Sequence, residues 1–253
     1  NNFGFIGAKP THPDLLNWLA NELVAGDWKL KRMHKLIMMS NTYRMSSSGG
    51  ETALARDPNN DLMWRHEMRR LSAEEIRDSI LNLTGQLNLK MGGPSIYTEV
   101  PKDVLATASR PGAAWGNSPV AERNRRSVYI YVKRSLHEPF LGAFDWADTD
   151  NTCDVRFVTT VPTQTLTLLN SKFLNYSAES LAKRLAKVVP GDAKAQVTRA
   201  LRLATSRKPT GEEVDDGLEL IHGLKAEAKL DDSEALQRFC LLVLNLNEFL
   251  YLD

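Results

Sequence analysis

The chain has 253 residues with 32 basic and 31 acidic side chains, so its formal net charge is only +1. Its 42% hydrophobic and 25% charged residues are ordinary for a globular protein and argue against global disorder. The charge balance gives no indication of nucleic acid or an anionic membrane as a general partner. No apolar run approaches the ~20 residues that span a bilayer. The first residue is Asn1 rather than Met, so we expect a fragment or a processed product.

Two helices are predicted near the N-terminus. Thr11 is a candidate N-cap with Pro13 in the first turn, and Gly26 is a suitable stop, so a helix is predicted between them. Apolar residues at helical spacing predict a second helix over 30–44. The two helices are expected to form a hairpin.

The next segments alternate between loop and helix signals. The Ser/Gly-rich stretch 46–61 is typical of a linker or mobile loop. Ser72 and Glu75 form a capping-box pattern for a helix that runs to about Leu87. Residues 90–120 contain several glycines and prolines, which predicts a long irregular excursion.

Residues 127–133 (SVYIYVK) are the best strand candidate, because β-branched and aromatic residues alternate there. Residues 135–161 are predicted to be mostly loop. Four helices are then predicted, over 163–189, 192–206, 211–228 and 232–248.

The predicted fold class is therefore mainly α, a multi-helix domain with a small β element and a long irregular central region. Its expected parts are an N-terminal helical part (1–89), an irregular region with one strand (90–161) and a C-terminal helical part (162–253). The three parts are expected to form one composite domain.

No motif in the chain names a reaction. The glycine-rich phosphate-binding patterns, His-Glu-x-x-His and Gly-x-Ser-x-Gly are all absent. The two cysteines, Cys153 and Cys240, are expected to be free thiols with Cys240 in the core, although a bond between them stays open. The two cysteines therefore do not indicate whether the protein resides in an oxidising or a reducing compartment.

Opposite charges concentrate in residues 122–156. A basic segment is followed by an acidic, aromatic loop, which indicates either an internal polar network or a binding cleft. In a strand, Arg126 and Arg134 would share one face while Arg125 faces away. These arginines could bind carboxylates, sulfates or phosphates, or could pair internally with the acidic residues of 144–154.

The acidic residues of this region suggest two further hypotheses about function. Asp145 and Asp148 are candidates for general acid–base work on a glycosidic bond. With Asp150 and Asp154 they could instead bind calcium, or simply pair with arginines and backbone amides. No metal site is assigned.

Aromatic and amide side chains complete the candidate region. Tyr129 and Tyr131 could stack on a sugar or a base, or belong to the core. Gln164 is expected to bond the backbone near the start of a helix. Outside the region, Arg77 and Asp78 are expected to join helices rather than bind a ligand.

Several segments together resemble a known family. They are HPDLLNWLANELV, MHKLIMMSNTYRMSS, RRLSAEEIRDSIL, MGGPS, RRSVYIYVKR, FDWADTDNTCDVR, TTVPTQTLTLLN and LNLNEFLY. In this order they resemble the C-terminal domain of unknown function 1553 (PSD-type) of large planctomycete and verrucomicrobial surface proteins. The resemblance covers nearly the whole chain. The residues matched in these segments include Arg125, Arg126, Arg134, Asp145, Asp148, Cys153, Arg156, Thr160, Gln164 and Asn170.

The resemblance implies an exported protein, at the cell surface or in the periplasm, in which this domain follows a cytochrome-c-like domain. A c-type haem would then lie upstream, since this chain has no Cys-x-x-Cys-His and no cofactor is expected in it. The upstream domain, a surface partner or a polysaccharide are the implied partners. The family brings no established activity.

The sequence therefore leaves three alternative functions open. The first is an interaction or scaffold module that docks a partner or binds a glycan. The second is a carbohydrate-active, otherwise hydrolytic or redox enzyme with its site in 125–170. The third is a calcium-stabilised scaffold. The binding candidates are Arg125, Arg126, Arg134, Asp145, Asp148, Arg156 and Gln164.

Overall fold

The computed structural model of the chain describes residues 5–108, 115–149, 153 and 155–253. Helices dominate these ranges, and a single short pair of strands accompanies them, which confirms the predicted mainly α class. The chain divides into two compact units, one made of residues up to 69 with 252–253 and the other of residues 70–251. None of the helices in the described ranges is both long and apolar enough to cross a bilayer.

The first unit contains three helices, α1 (Pro13–Ala25), α2 (Leu30–Met38) and α3 (Glu51–Arg56). The extent of α1 confirms the prediction, but His12 rather than Thr11 is its N-cap. The Thr11 hydroxyl instead contacts His12 Nδ1 at 3.0 Å. Helix α2 is shorter than predicted, because the Ser40 hydroxyl donates to the Ile37 carbonyl and accepts from a later amide, which closes a turn.

Strand β1 (Arg69–Arg70) pairs with strand β2 (Tyr251–Leu252). The helices of the second unit are α4 (Ala73–Thr84), α5 (Lys102–Ala106), α6 (Val120–Arg123), α7 (Pro139–Ala143), α8 (Pro162–Asn170), α9 (Lys172–Val188), α10 (Ala193–Thr205), α11 (Gly211–Glu227), α12 (Asp232–Val243) and α13 (Asn247–Leu250).

Local caps define several of these helices. The predicted capping box at Ser72 is present at the start of α4, and a second one, at Thr210, starts α11. The single helix predicted for 163–189 is wrong, because Ser171 adopts an extended conformation and its hydroxyl accepts the Leu174 amide at 3.1 Å. The chain therefore ends α8 and starts α9 at this residue.

The core of the second unit lies where α9 packs against α4 and α12. Ile80, Leu181 and Leu244 are each fully buried there. Both cysteines are free, as predicted: Cys153 is exposed, whereas Cys240 lies in the core on α12. Burial raises the pKa of the Cys240 thiol, so this group is protonated at neutral pH.

The strand predicted for 127–133 is wrong. Ser127–Tyr129 form a 3-10 helix, and the only strand-like feature of the segment is an isolated parallel bridge between Ile96 and Ile130. Asp78 on α4 explains the difference, because its Oδ1 accepts both the Ser127 amide at 2.8 Å and the Ser127 hydroxyl at 2.7 Å. This tertiary contact bends the segment, so strand parity no longer determines which way its side chains face.

Candidate functional site

Arg125, a predicted binding residue, is completely buried. Its guanidinium donates to the carbonyl oxygens of Lys90 and Pro94, each at 3.2 Å, and also to that of Gly92. The guanidinium stacks on Tyr129, and Arg125 Cζ lies 3.9 Å from the centroid of the Tyr129 ring. Arg125 therefore holds the 90–94 loop in place and does not face solvent.

The loop is fixed from its other side by Tyr129, whose hydroxyl accepts the Gly92 amide at 2.9 Å. This hydrogen bond is the main reason why the pKa of Tyr129 lies below its ordinary value. Among the described residues, the carboxylate that pairs with Arg125 is Glu122, at 3.5 Å. Two of the acids of 145–154 that were considered as partners, Asp150 and Asp154, lie outside those residues.

Arg77 confirms its predicted structural role. It donates to the carbonyls of Arg125 at 3.0 Å and Arg123 at 2.5 Å, and to the Ser127 hydroxyl at 3.1 Å. Asp78 is 3.7 Å away. Burial lowers the pKa of Arg77 below its ordinary value, against the opposing effect of nearby carboxylates. The arginine joins α4 to the 123–127 segment.

Glu138 is a buried carboxyl that sequence reasoning did not single out. It caps α7 by accepting the Leu141 amide at 2.7 Å, and it also accepts from the Thr98 hydroxyl at 3.4 Å. Burial raises the pKa of Glu138 above its ordinary value of 4.5. Folding therefore disfavours the ionised form of this carboxyl relative to the unfolded chain.

This burial leads to a pH-dependent prediction for Glu138→Gln. Because the folded pKa of Glu138 is raised, its contribution to stability is complete below pH 4.5 and declines as the pH rises through the folded pKa. Glutamine does not titrate. The variant should therefore gain stability relative to the wild type above pH 4.5, by about 1.4 kcal/mol for each unit by which burial raises the pKa.

Urea unfolding at a series of pH values on both sides of 4.5 measures this difference. Glu227→Gln, at an exposed position on α11, is the control. Its free energy of unfolding relative to the wild type should change little over the same pH range. Parallel stability curves for Glu138→Gln and the wild type would contradict the assignment of a raised pKa.

Asp145, a candidate catalytic residue, lies in a second polar network. It accepts from the buried Arg70 guanidinium at 2.6 Å and from the Thr159 amide and hydroxyl at 2.9 and 2.8 Å. Gln164 Nε2 is 3.4 Å away on α8. Arg70 also donates to the carbonyls of Thr159 at 2.8 Å and Phe144 at 3.3 Å. The network ties α7, β1 and α8 together.

The electrostatics of Asp145 favour a structural role. Partial burial alone would raise the pKa of Asp145, but the hydrogen bonds from Thr159 and Arg70 outweigh it and hold the pKa below 3.8. A carboxylate that stays ionised and is surrounded by donors is poorly suited to deliver a proton at neutral pH. Its backbone is left-handed, with φ 61°, a conformation that Asp and Asn tolerate better than most residues.

The other predicted residues lie nearer the surface. Arg126, Arg134 and Asp148 are exposed, and Arg156 pairs with Glu74 on α4 at 2.7 Å. Of the seven binding candidates, Asp145 and Gln164 share one network, whereas Arg125 lies in another.

The calcium-site hypothesis involves residues outside the described ranges. Asp150 and Asp154 lie outside them. Within residues 5–108, 115–149, 153 and 155–253, no group of three or more His, Cys, Asp or Glu side chains is arranged to hold a metal ion. Of the other matched residues, Thr160 contacts the Tyr251 hydroxyl at 3.4 Å, and Asn170 is exposed at the end of α8.

A cluster of three aromatic rings lies on the surface of the second unit. The Tyr97 centroid is 5.0 Å from that of Tyr131 and 5.5 Å from that of Trp115, and the last two are 6.2 Å apart. Tyr131 is 38% exposed, and the other two rings are half-buried. We call these three residues the aromatic cluster.

The bridge between Ile96 and Ile130 positions two rings of the aromatic cluster. The Ile96 amide donates to the Tyr129 carbonyl and the Tyr131 amide to the Ile96 carbonyl, both at 2.8 Å. Ile96 and Ile130 point into the core, so the following residues, Tyr97 and Tyr131, point to the opposite side. The two tyrosines therefore lie side by side.

Trp115 is anchored to the same segment. Its Nε1 donates to the Thr98 carbonyl at 2.9 Å, so its polar edge is satisfied while its ring packs edge-on against Tyr97. The backbone at Gly116 runs close to the Tyr97 ring, because an added Cβ there would be 2.6 Å from Tyr97 Cε2. The sequence singled out Tyr131 but missed Tyr97 and Trp115, because they lie in the irregular 90–120 segment, where no periodic pattern applies.

Comparison with known proteins gives one result. The model of the PSD1 family, described as a protein of unknown function (DUF1553), matches residues 1–221. No significant match was found among curated proteins or solved structures. The matched range covers most of the 253 residues and bears out the resemblance to the DUF1553 domain. The chain therefore belongs to the PSD1 family of proteins of unknown function, DUF1553.

Proposed function

We propose that this domain is a glycan-binding module and that the aromatic cluster is its sugar-binding surface. The observation that carries the proposal is the placement of Tyr97, Trp115 and Tyr131 within 6.2 Å of one another, with the rings partly open to solvent. Aromatic rings at a surface are costly to leave in water, and clusters of them mark binding sites.

The chemistry of the cluster suits a saccharide. One face of a pyranose ring carries C–H groups that pack on the negative face of an aromatic ring, while its hydroxyls reach polar groups at the rim. The tyrosine hydroxyls and the pair formed by Glu99 and Arg123, at 3.2 Å, supply such groups nearby in the chain. A nucleic acid is less well matched, since the formal net charge is only +1. A polysaccharide ligand would require export, so export is part of the proposal.

The structure favours binding over catalysis as the role of this region. Asp145 is saturated by donors from Arg70, Thr159 and Gln164 in a network separate from the aromatic cluster. The enzyme alternative places catalysis on Asp145 and Asp148, and the first of these is already held in that separate network.

A thermal-shift screen of neutral and sulfated oligosaccharides, followed by calorimetric titration, tests the proposal. A ligand that binds only the folded chain raises its melting temperature by mass action. For a glycan that binds, Trp115→Ala and Tyr131→Ala should each weaken affinity about tenfold, the size typical of removing one stacking ring from a nucleic-acid-binding surface.

Tyr176→Ala is the matched control, because this tyrosine is 48% exposed on α9 and lies outside the aromatic cluster. It should leave affinity unchanged. Equal affinity for wild type and Trp115→Ala, or no shift with any oligosaccharide, would overturn the glycan-binding proposal.

A further inference from the structure

A cavity of about 480 Å³ lies among α10, α11, α12 and α13, in the second unit. Its walls are mainly apolar and include Leu201, Leu220, Phe239, Leu242 and Leu246. Phe239 is 1% exposed, whereas Leu242 is 47% exposed and stands at the mouth. This volume is typical of a small-molecule site, which covers about 300–1,000 Å³.

A glycine brings the helices close together beside the cavity. A Cβ added to Gly217 would lie 2.7 Å from Val197 Cγ1 and 2.9 Å from Phe239 Cε2. Only a residue without a side chain lets α11 pack this closely on α10 and α12. The cavity wall is thus part of a tightly packed interface, which makes it a pre-formed site.

The rim of the cavity is acidic. Glu213, Asp216 and Glu248 line it, and Arg207 is bonded to both glutamates at 2.5 to 2.9 Å. The bond from Arg207 holds the pKa of Glu213 at about 2, so this carboxylate is ionised at neutral pH. Within the described part of the chain, the Asp216 carboxylate makes neither a hydrogen bond nor an ion pair.

The acidic residues of α11 add to the negative charge at the rim of the cavity. Its N-terminal half carries five acidic residues and no lysine or arginine, at Glu212, Glu213, Asp215, Asp216 and Glu219. Arg207 is the one cation bonded to the rim among the described residues, and two carboxylates share it. A ligand that reaches the apolar wall therefore meets negative charge at the entrance.

We propose that this cavity binds a small amphipathic amine, with an apolar chain or ring against Leu242 and Leu246 and an ammonium group beside Asp216. Burial of the chain supplies affinity, and the unpaired carboxylate selects the cation. The site lies apart from the aromatic cluster and takes a different class of ligand.

NMR titration of the whole 253-residue chain with hexylammonium tests the proposal, with 1-hexanol and hexanoate as ligands of equal chain length. Hexylammonium should give saturable amide shifts confined to α10–α13. Its affinity should exceed that of 1-hexanol by about fivefold, the effect of one partly exposed ion pair, and hexanoate should bind more weakly still.

Two variants separate charge from packing. Asp216→Asn should remove most of the preference for hexylammonium, whereas Asp215→Asn, the neighbouring exposed acid that does not line the cavity, should keep it. Leu242→Ser should weaken all three ligands. Absence of saturable shifts, equal affinity for hexylammonium and 1-hexanol, or the same loss in both aspartate variants would overturn the proposal.

Discussion

Arg125→Met should lower the free energy of unfolding by about 3–5 kcal/mol, which corresponds to a fall in melting temperature of roughly 10 °C. The reason is that Arg125 is completely buried and satisfies the carbonyls of Lys90, Gly92 and Pro94. Methionine fills similar space but leaves these carbonyls without their donor. Urea and thermal unfolding of the two chains measure the effect.

Arg126→Met is the matched control, since the neighbouring arginine is exposed. Its stability should stay within about 0.5 kcal/mol of the wild type, as for most surface substitutions. If both variants lost the same stability, Arg125 would not be the anchor of the 90–94 loop.

Asp145→Asn should destabilise the chain by about 2–3 kcal/mol at neutral pH, because it removes the charge that Arg70 and Thr159 bind. Asparagine keeps the shape and tolerates the left-handed backbone at this position, so the variant isolates the charge. The exposed Asp148→Asn is the control and should cost less.

The effect of Asp145→Asn should also depend on pH. The folded pKa of Asp145 is lowered, so its contribution is present above the ordinary value of 3.8 and is lost as the pH falls through the folded pKa. The stability gap between wild type and variant should therefore narrow below pH 3.8. A gap that stays constant or widens in acid would contradict the charged network.

Local chemistry explains why some elements were predictable. The caps at Ser72 and Thr210 depend on residues within three positions, so the sequence alone indicates where α4 and α11 begin. The break at Ser171 has no glycine or proline signal. The alternation of SVYIYVK resembles a strand, but Asp78, 49 residues away, decides its conformation.

The site was predictable only in part, for the same reason. Arginines near acids in sequence suggested either an internal polar network or a cleft. Asp145 and Arg125 do belong to internal networks, but their partners are distant: Arg125 binds carbonyls of the 90–94 loop and Asp145 pairs with Arg70, 75 residues away. Tyr131 was one of two tyrosines, with Tyr129, that the sequence offered as stacking or core residues. Its companions Tyr97 and Trp115 come together through the bridge between Ile96 and Ile130, which no local spacing reveals.

Saturation-transfer-difference NMR with the tightest-binding oligosaccharide of the screen tests the aromatic cluster most directly. Magnetisation passes from the protein only to sugar protons in contact with it. Strong transfer to the C–H protons of one sugar face, lost in Trp115→Ala and kept in Tyr176→Ala, is the result we expect. Transfer that persists unchanged in Trp115→Ala would contradict the assignment of the sugar-binding surface to Tyr97, Trp115 and Tyr131.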